Sequence, residues 1–123
     1  SNKFSMEFTE EELHYMAMNF IGEELQKMGF EFLAVNSKLK KHPQFVTYKK
    51  NEKNIFVLVQ ASLPPDDYTR LPAIASKMVA HAREQDARVW FAGVGITHAD
   101  DLSRKPVKGE AYKLLFNGFN FLS

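Results

Sequence analysis

Between residues 9 and 28 the apolar side chains Leu13, Met16, Ala17, Phe20, Ile21, Leu25 and Met28 recur at the 3.6-residue period and make one stripe along a helix. The start of that helix is legible. Thr9 can cap it, Glu12 stands at the third helical position to complete a capping box, and Phe8 can staple against Leu13. Gly29 offers the left-handed residue at which it can stop. Beyond Gly29 the period changes to two. In residues 30–35, Phe30 and Phe32 point one way while Glu31, Leu33 and Val35 point the other, which predicts a strand. Residues 36–43 read as a polar, Lys-rich connection, 44–50 as a second strand, and 51–54 as a tight turn whose Asn residues tolerate positive φ. Residues 55–61 are apolar on both faces except for Gln60, the pattern of a central strand buried on both sides. Pro64-Pro65 stops it.

A second helical repeat follows in Leu71, Ile74, Ala75, Met78, Val79 and Ala82, with Asp66 or Asp67 as its cap and Pro72 near its start. The run RVWFAGV at 88–94 is a continuous apolar strand directly after a helix, which demands a crossover and a parallel partner. Gly93-Val94-Gly95 is expected to close that strand, with a short helix over 98–103 and a last strand over 112–116. Residues 1–8 read as a tag remnant or flexible N-terminus, and 9–123 as one domain. The order α-β-β-β-α-β, with a short α and a β appended, predicts a single-domain α/β (α+β) sandwich of two or three layers. Its mixed sheet joins an antiparallel meander to one parallel strand.

Composition narrows the function classes. The chain of 123 residues has no Cys, which excludes disulfides, a thiolate nucleophile, Cys-based zinc sites and cysteine-ligated iron–sulfur clusters. Without cysteine or a membrane span, it does not carry what a NADH-quinone reductase subunit needs on its own. No apolar run approaches membrane-spanning length and no signal-peptide pattern opens the chain, so a cytoplasmic protein with no membrane partner is expected. Eleven Phe point to an aromatic-rich core.

The net charge of +1 conceals an asymmetry: residues 1–37 carry a local −5 and residues 38–53 a local +5. The basic group is Lys38, Lys40, Lys41, Lys49, Lys50 and Lys53, interleaved with Phe45 and Tyr48. Basic residues among aromatics suit a nucleic-acid stacking platform, and their charge alone suits an acidic protein segment. A solvated hairpin explains the same residues. Docking of this segment on the acidic helix of a second copy makes a homodimer the further alternative.

Other candidate chemistry is sparse. Gly95, Thr97, His98 and Asp100 mark a candidate pocket, because ligands of α/β sheets favour the carboxyl ends of parallel strands. His98-x-Asp100-Asp101 falls short of the three converging ligands a zinc site needs, and Gly93-Val94-Gly95 lacks the third glycine of a dinucleotide fingerprint. No metal site and no cofactor are expected.

The order over residues 9–95, with a helix ending at Gly29-Phe30, a basic loop, and a hairpin ending in Ile55-Phe56-Val57-Leu58-Val59-Gln60-Ala61, resembles the core of the PD-(D/E)XK restriction-endonuclease-like nucleases. In that family an Asp on the second strand and Glu-x-Lys on the third hold magnesium and position water. Hard Mg²⁺ demands clustered oxygen ligands. The matching positions here read Gln44 or Phe45, then Leu58, Val59 and Gln60, with Glu23 or Glu24 for the helix carboxylate. The resemblance therefore implies a degenerate, non-catalytic member, with a metal-dependent nuclease as the last alternative. The order is also similar to type III secretion chaperone-like domains, which bind extended protein segments and usually dimerise.

Overall fold

In the computed structural model, which describes residues 6–123, helix α1 spans Glu10–Lys27 and both halves of its capping box form. Glu12 N–H donates to Thr9 Oγ1 at 3.1 Å, and Thr9 N–H donates to Glu12 Oε1 at 2.8 Å. At the other end Gly29 takes φ +91°, which lets Gly29 N–H reach Gln26 O at 2.9 Å and Phe30 N–H reach Leu25 O at 3.1 Å. These are the two bonds of a Schellman stop. Residues 1–5 of the expected loose N-terminus lie outside the described residues. Residues 6–8 are tied down: Glu7 bridges Val107, and Lys108 N–H donates to Met6 O at 2.7 Å.

After α1 come β1 (Glu31–Val35), β2 (Phe45–Tyr48), β3 (Ile55–Ser62), α2 (Ala75–Glu84), β4 (Arg88–His98), β5 (Tyr112–Phe116) and β6 (Asn120–Phe121). They make one mixed sheet in the order β1-β2-β3-β4-β5, with β6 also on β4. The β1-β2-β3 meander is antiparallel, β3 and β4 are parallel from Ile55–Arg88 to Ser62–Gly95, and β5 and β6 run antiparallel to β4. Asn51 in the β2–β3 turn takes φ +67°, as its residue type permits.

Alternation along the central strands divides the core between two layers of helix. Val57 and Val59 of β3 and Ala92, Val94 and Ile96 of β4 pack under α1, with Phe30 and Phe45. Phe56, Leu58, Val89 and Phe91 point to the opposite face and pack under α2. The result is a single-domain α+β fold of three layers. Trp90 joins an aromatic cluster on the α1 side, with ring centroids 5.5 Å from Phe30 and 4.7 Å from Phe121.

Three expectations at the carboxyl half are corrected. The strand expected to end at 94–95 continues to His98, because β5 pairs with Val94 through His98 and keeps it extended. No helix forms over 98–103. Instead Asp101 Oδ1 accepts from Ser103 N–H at 2.9 Å, and His98 N–H donates to Arg104 O at 3.0 Å, closing a tight turn. Helix α2 begins at Ala75, not at the Asp66–Asp67 cap. Asp67 Oδ1 instead accepts from Thr69 N–H at 2.9 Å, and residues 63–74 cross the sheet as an irregular strap. Strand β6 adds a pairing that the sequence pattern does not predict. The pairing of β4 shifts by one residue between Phe116 and Asn120, so β5 and β6 are one bent strand interrupted by a bulge at 117–119.

Val57 is fully buried at the centre of this frame. Val57→Ala is expected to lower stability by about 1–3 kcal/mol, from lost burial and incomplete collapse of the cavity. A urea titration should show a lower midpoint with an unchanged slope.

Candidate functional site

At the carboxyl end of β3 the sheet opens into a cleft of about 570 Å³. The first turn of α1 supplies Glu10, Leu13 and His14; the loop before β2 supplies Leu39, Lys40, His42 and Gln44; β3 supplies Val59 to Ser62. The strap closes the remaining side with Leu63, Asp66, Pro72 and Ile74.

Gln44 positions the basic loop. It is 1% exposed, and its side chain continues the β2–β3 ladder beyond the end of β2. Val59 N–H donates to Gln44 Oε1 at 2.8 Å, while Gln44 Nε2 donates to Lys41 O and to His42 Nδ1, each at 2.9 Å. Both amide hydrogens and one acceptor site of the side chain are thereby committed. Asn36 N–H adds a bond to Gln44 O at 2.8 Å. The loop 36–43 is thus fastened to the central strand by a single residue.

His14 lies on the inner side of α1, 5% exposed, and its Nε2 has no hydrogen-bond partner. Burial, and secondarily the proximity of His42, holds its imidazole below the ordinary histidine range, so it is neutral at pH 7. Neither histidine belongs to a metal site: among the described residues no group of three or more His, Asp or Glu could hold an ion.

The six lysines do not form one patch. Lys38, Lys40 and Lys41 sit on the loop at the cleft end of β2, and Lys40 lines the cleft itself. Lys49, Lys50 and Lys53 lie past the other end of β2. Two of these are occupied: Lys49 Nζ donates to Met28 O at 2.7 Å and stands 4.1 Å from the Phe30 ring centroid, and Lys53 pairs with Asp86 at 3.0 Å. Tyr48 is exposed at that far end, whereas Phe45 is core.

The candidate pocket at Gly95, Thr97, His98 and Asp100 is divided by the alternation of β4. Gly95 and Thr97 face the strap and line a separate cavity of about 310 Å³. His98 points to the other face with both nitrogens committed. Its Nδ1 accepts from Asp100 N–H at 3.1 Å, and Nε2 donates to Glu110 Oε1 at 2.9 Å, which holds the Glu110 carboxyl below its usual range.

Of the positions matched to the nuclease pattern, Gln44 and Gln60 reach the cleft, but Leu58 is buried under α2. The polar helix residues at the cleft are Glu10 and His14, not Glu23 and Glu24; Glu24 is bound to Lys27 at 3.2 Å. Sequence reasoning missed His14, although it shares a helical face with Ala17, Met18, Ile21 and Leu25.

Fold and cleft together define a small three-layer α+β domain whose cleft lies at the carboxyl end of the central strand β3. The chain belongs to the family described as a domain of unknown function, DUF8840, whose model matches residues 11–122. No curated protein and no solved structure matches the chain. Among the described residues no helix is long and apolar enough to cross a membrane.

Proposed function

We propose that this chain is a non-catalytic binding domain on a restriction-endonuclease-like core, which holds the phosphates of a nucleic acid with Lys38, Lys40 and Lys41 at the mouth of the cleft. The carrying observation is the placement of these lysines. They ride on a loop that Gln44 fastens to the cleft, and among the described residues none of the three pairs with a carboxylate. Cations already bound to acids offer little to a phosphate; these remain available. Against phosphodiester hydrolysis stand Gln44, Val59 and Ala61, which offer no anionic oxygen, and the two carboxylates of the lining, Glu10 and Asp66, which belong to no group of three or more metal ligands among the described residues.

The test is a titration of fluorescent single-stranded and duplex oligonucleotides over a salt series. Affinity should fall with salt, with a log–log slope of roughly −0.9 per duplex phosphate contact and −0.7 per single-strand contact. Replacing Lys38, Lys40 and Lys41 together with Glu should abolish most of the binding for every sequence while stability changes by less than about 1 kcal/mol, because exposed charges contribute little. With Mg²⁺ added, the oligonucleotides should stay intact. A triple variant that binds like wild type would refute the assignment. One that instead loses self-association in sedimentation would point to a homodimer.

A further inference from the structure

We infer that the exposed ring of Phe121, packed on Trp90, is a stacking platform for an unpaired base of the nucleic acid, with Arg88 beside it to meet the neighbouring phosphate. This rests on the nucleic-acid binding proposed for the Lys38–Lys41 loop and adds a second contact, at the opposite end of β3.

The platform carries the inference. At the amino ends of β3 and β4, Ile55, Arg88 and Trp90 line a cavity of about 580 Å³ together with Phe121 of β6 and residues 51–53 of the turn. Arg88 and Trp90, two residues apart on β4, share a face of the sheet. Phe121 is 67% exposed, more than any other large apolar side chain among the described residues. It is nevertheless held in place. Its backbone pairs with Trp90, and its ring centroid lies 4.7 Å from that of the indole. Leu122 N–H donates to Val89 O at 2.9 Å, and Val89 N–H donates to Ser123 Oγ at 3.0 Å. Trp90 in turn packs against Phe30 at 5.5 Å and Phe119 at 5.2 Å. A fixed aromatic face open to water, bordered by cations, is what single-stranded nucleic acids stack on.

The polar groups around the rings select the occupant. Among the described residues, the guanidinium of exposed Arg88 makes no ion pair or hydrogen bond. Trp90 Nε1–H has no acceptor in the protein and is open to solvent. An adjoining hollow adds Arg83, and its Asp86 is already engaged by Lys53. The two hollows together set Lys53, Arg83 and Arg88 against Glu52 and Asp86, a positive surplus. An apolar partner would leave Arg88 and the indole N–H unmatched, and a bare phosphate would leave the rings in water. A nucleotide answers all three, with a flat face for Phe121, acceptors at its edge for the indole N–H and a phosphate for Arg88. A duplex does not, because its bases are stacked and paired with one another.

Trp90 is the one tryptophan of the chain, so its emission reports this site alone. The experiment titrates the protein with a labelled single strand, with a strand of equal length and charge in which every nucleotide is abasic, and with a closed circular duplex. The intact strand should quench Trp90; the abasic strand and the duplex should bind without quenching it. Phe121→Ala should weaken the intact strand about tenfold, the value of one stacked base, and leave the abasic strand unaffected. Arg88→Gln should weaken both strands and reduce the log–log salt slope by roughly 0.7. Binding of the intact strand with unchanged Trp90 emission would overturn the platform and leave the lysine loop standing, a reading that needs no variant to fold. Equal quenching by the duplex would also overturn it. If emission and sedimentation both change with protein concentration alone, a second copy covers the rings and the assignment fails. Absence of binding by any of the three would overturn both sites.

Discussion

Gly93→Ala is expected to destabilise the protein by about 3 kcal/mol or more and to lift the strap from the sheet. A Cβ built on Gly93 would overlap Tyr68 O and lie 3.1 Å from Phe91 Cε2. The first of these atoms is backbone and cannot turn aside. Gly95 repeats the motif more mildly, with Tyr68 Cδ1 at 2.9 Å. Helix α2 covers β4 only over Val89 and Phe91, so beyond Phe91 the strap is what buries the sheet. Overpacking of a tight core costs about 1–3 kcal/mol and more where the obstacle is rigid. For a domain of this size that is a fall in Tm of about 10 °C. Because the strap supplies Leu63, Asp66, Pro72 and Ile74 to the cleft, nucleic-acid affinity should fall as well. Gly22→Ala is the control. Its Cβ would meet Phe45 Cζ at an ordinary 3.5 Å within α1, where alanine favours the helix by about 1 kcal/mol. Calorimetry should separate the two variants widely. A Gly93→Ala protein melting within 2 °C of wild type would show that Tyr68 does not lie this close to β4.

The contrast between these glycines shows which parts of the molecule the sequence discloses. Signals that act within a few residues are readable: the Thr9–Glu12 box, the stop at Gly29, the two-residue period of residues 30–35 that becomes β1, and the apolar run of β3 with its parallel partner β4. Gly93 and Gly95 read as a strand end because glycine commonly marks one. Their reason is tertiary. They make room for Tyr68, which no local window contains. The lysines mislead in another way. Close along the chain, Lys41 and Lys49 lie past opposite ends of strand β2, Phe45–Tyr48, and so belong to different regions of the surface. His14 left a trace, since it lies on the buried face of α1, but a helical stripe defined by apolar residues passes over a histidine. Gln44 left none: a polar residue beside a Lys-rich loop gives no local indication of being buried.

Gln44→Leu is nearly equal in volume, so its effect isolates the hydrogen bonds of the amide. Three are lost: from Val59 N–H, to Lys41 O and to His42 Nδ1. The Val59 N–H lies in a buried residue and has no replacement on β2, which has ended. An unsatisfied buried group costs about 1–3 kcal/mol, and the second and third losses bring the expected destabilisation to about 3 kcal/mol. The larger consequence is positional. With the loop 36–43 released from β3, Lys38, Lys40 and Lys41 are no longer held at the cleft mouth, so nucleic-acid binding should weaken about tenfold although no cation has been removed. Gln44→Glu separates the two effects. A carboxylate still accepts from Val59 N–H but cannot donate to Lys41 O, so hydrogen exchange at Val59 should remain slow while the loop amides exchange faster. If Gln44→Leu loses stability yet binds oligonucleotides with wild-type affinity, the lysines do not depend on the anchor, and the link from Gln44 to binding is broken.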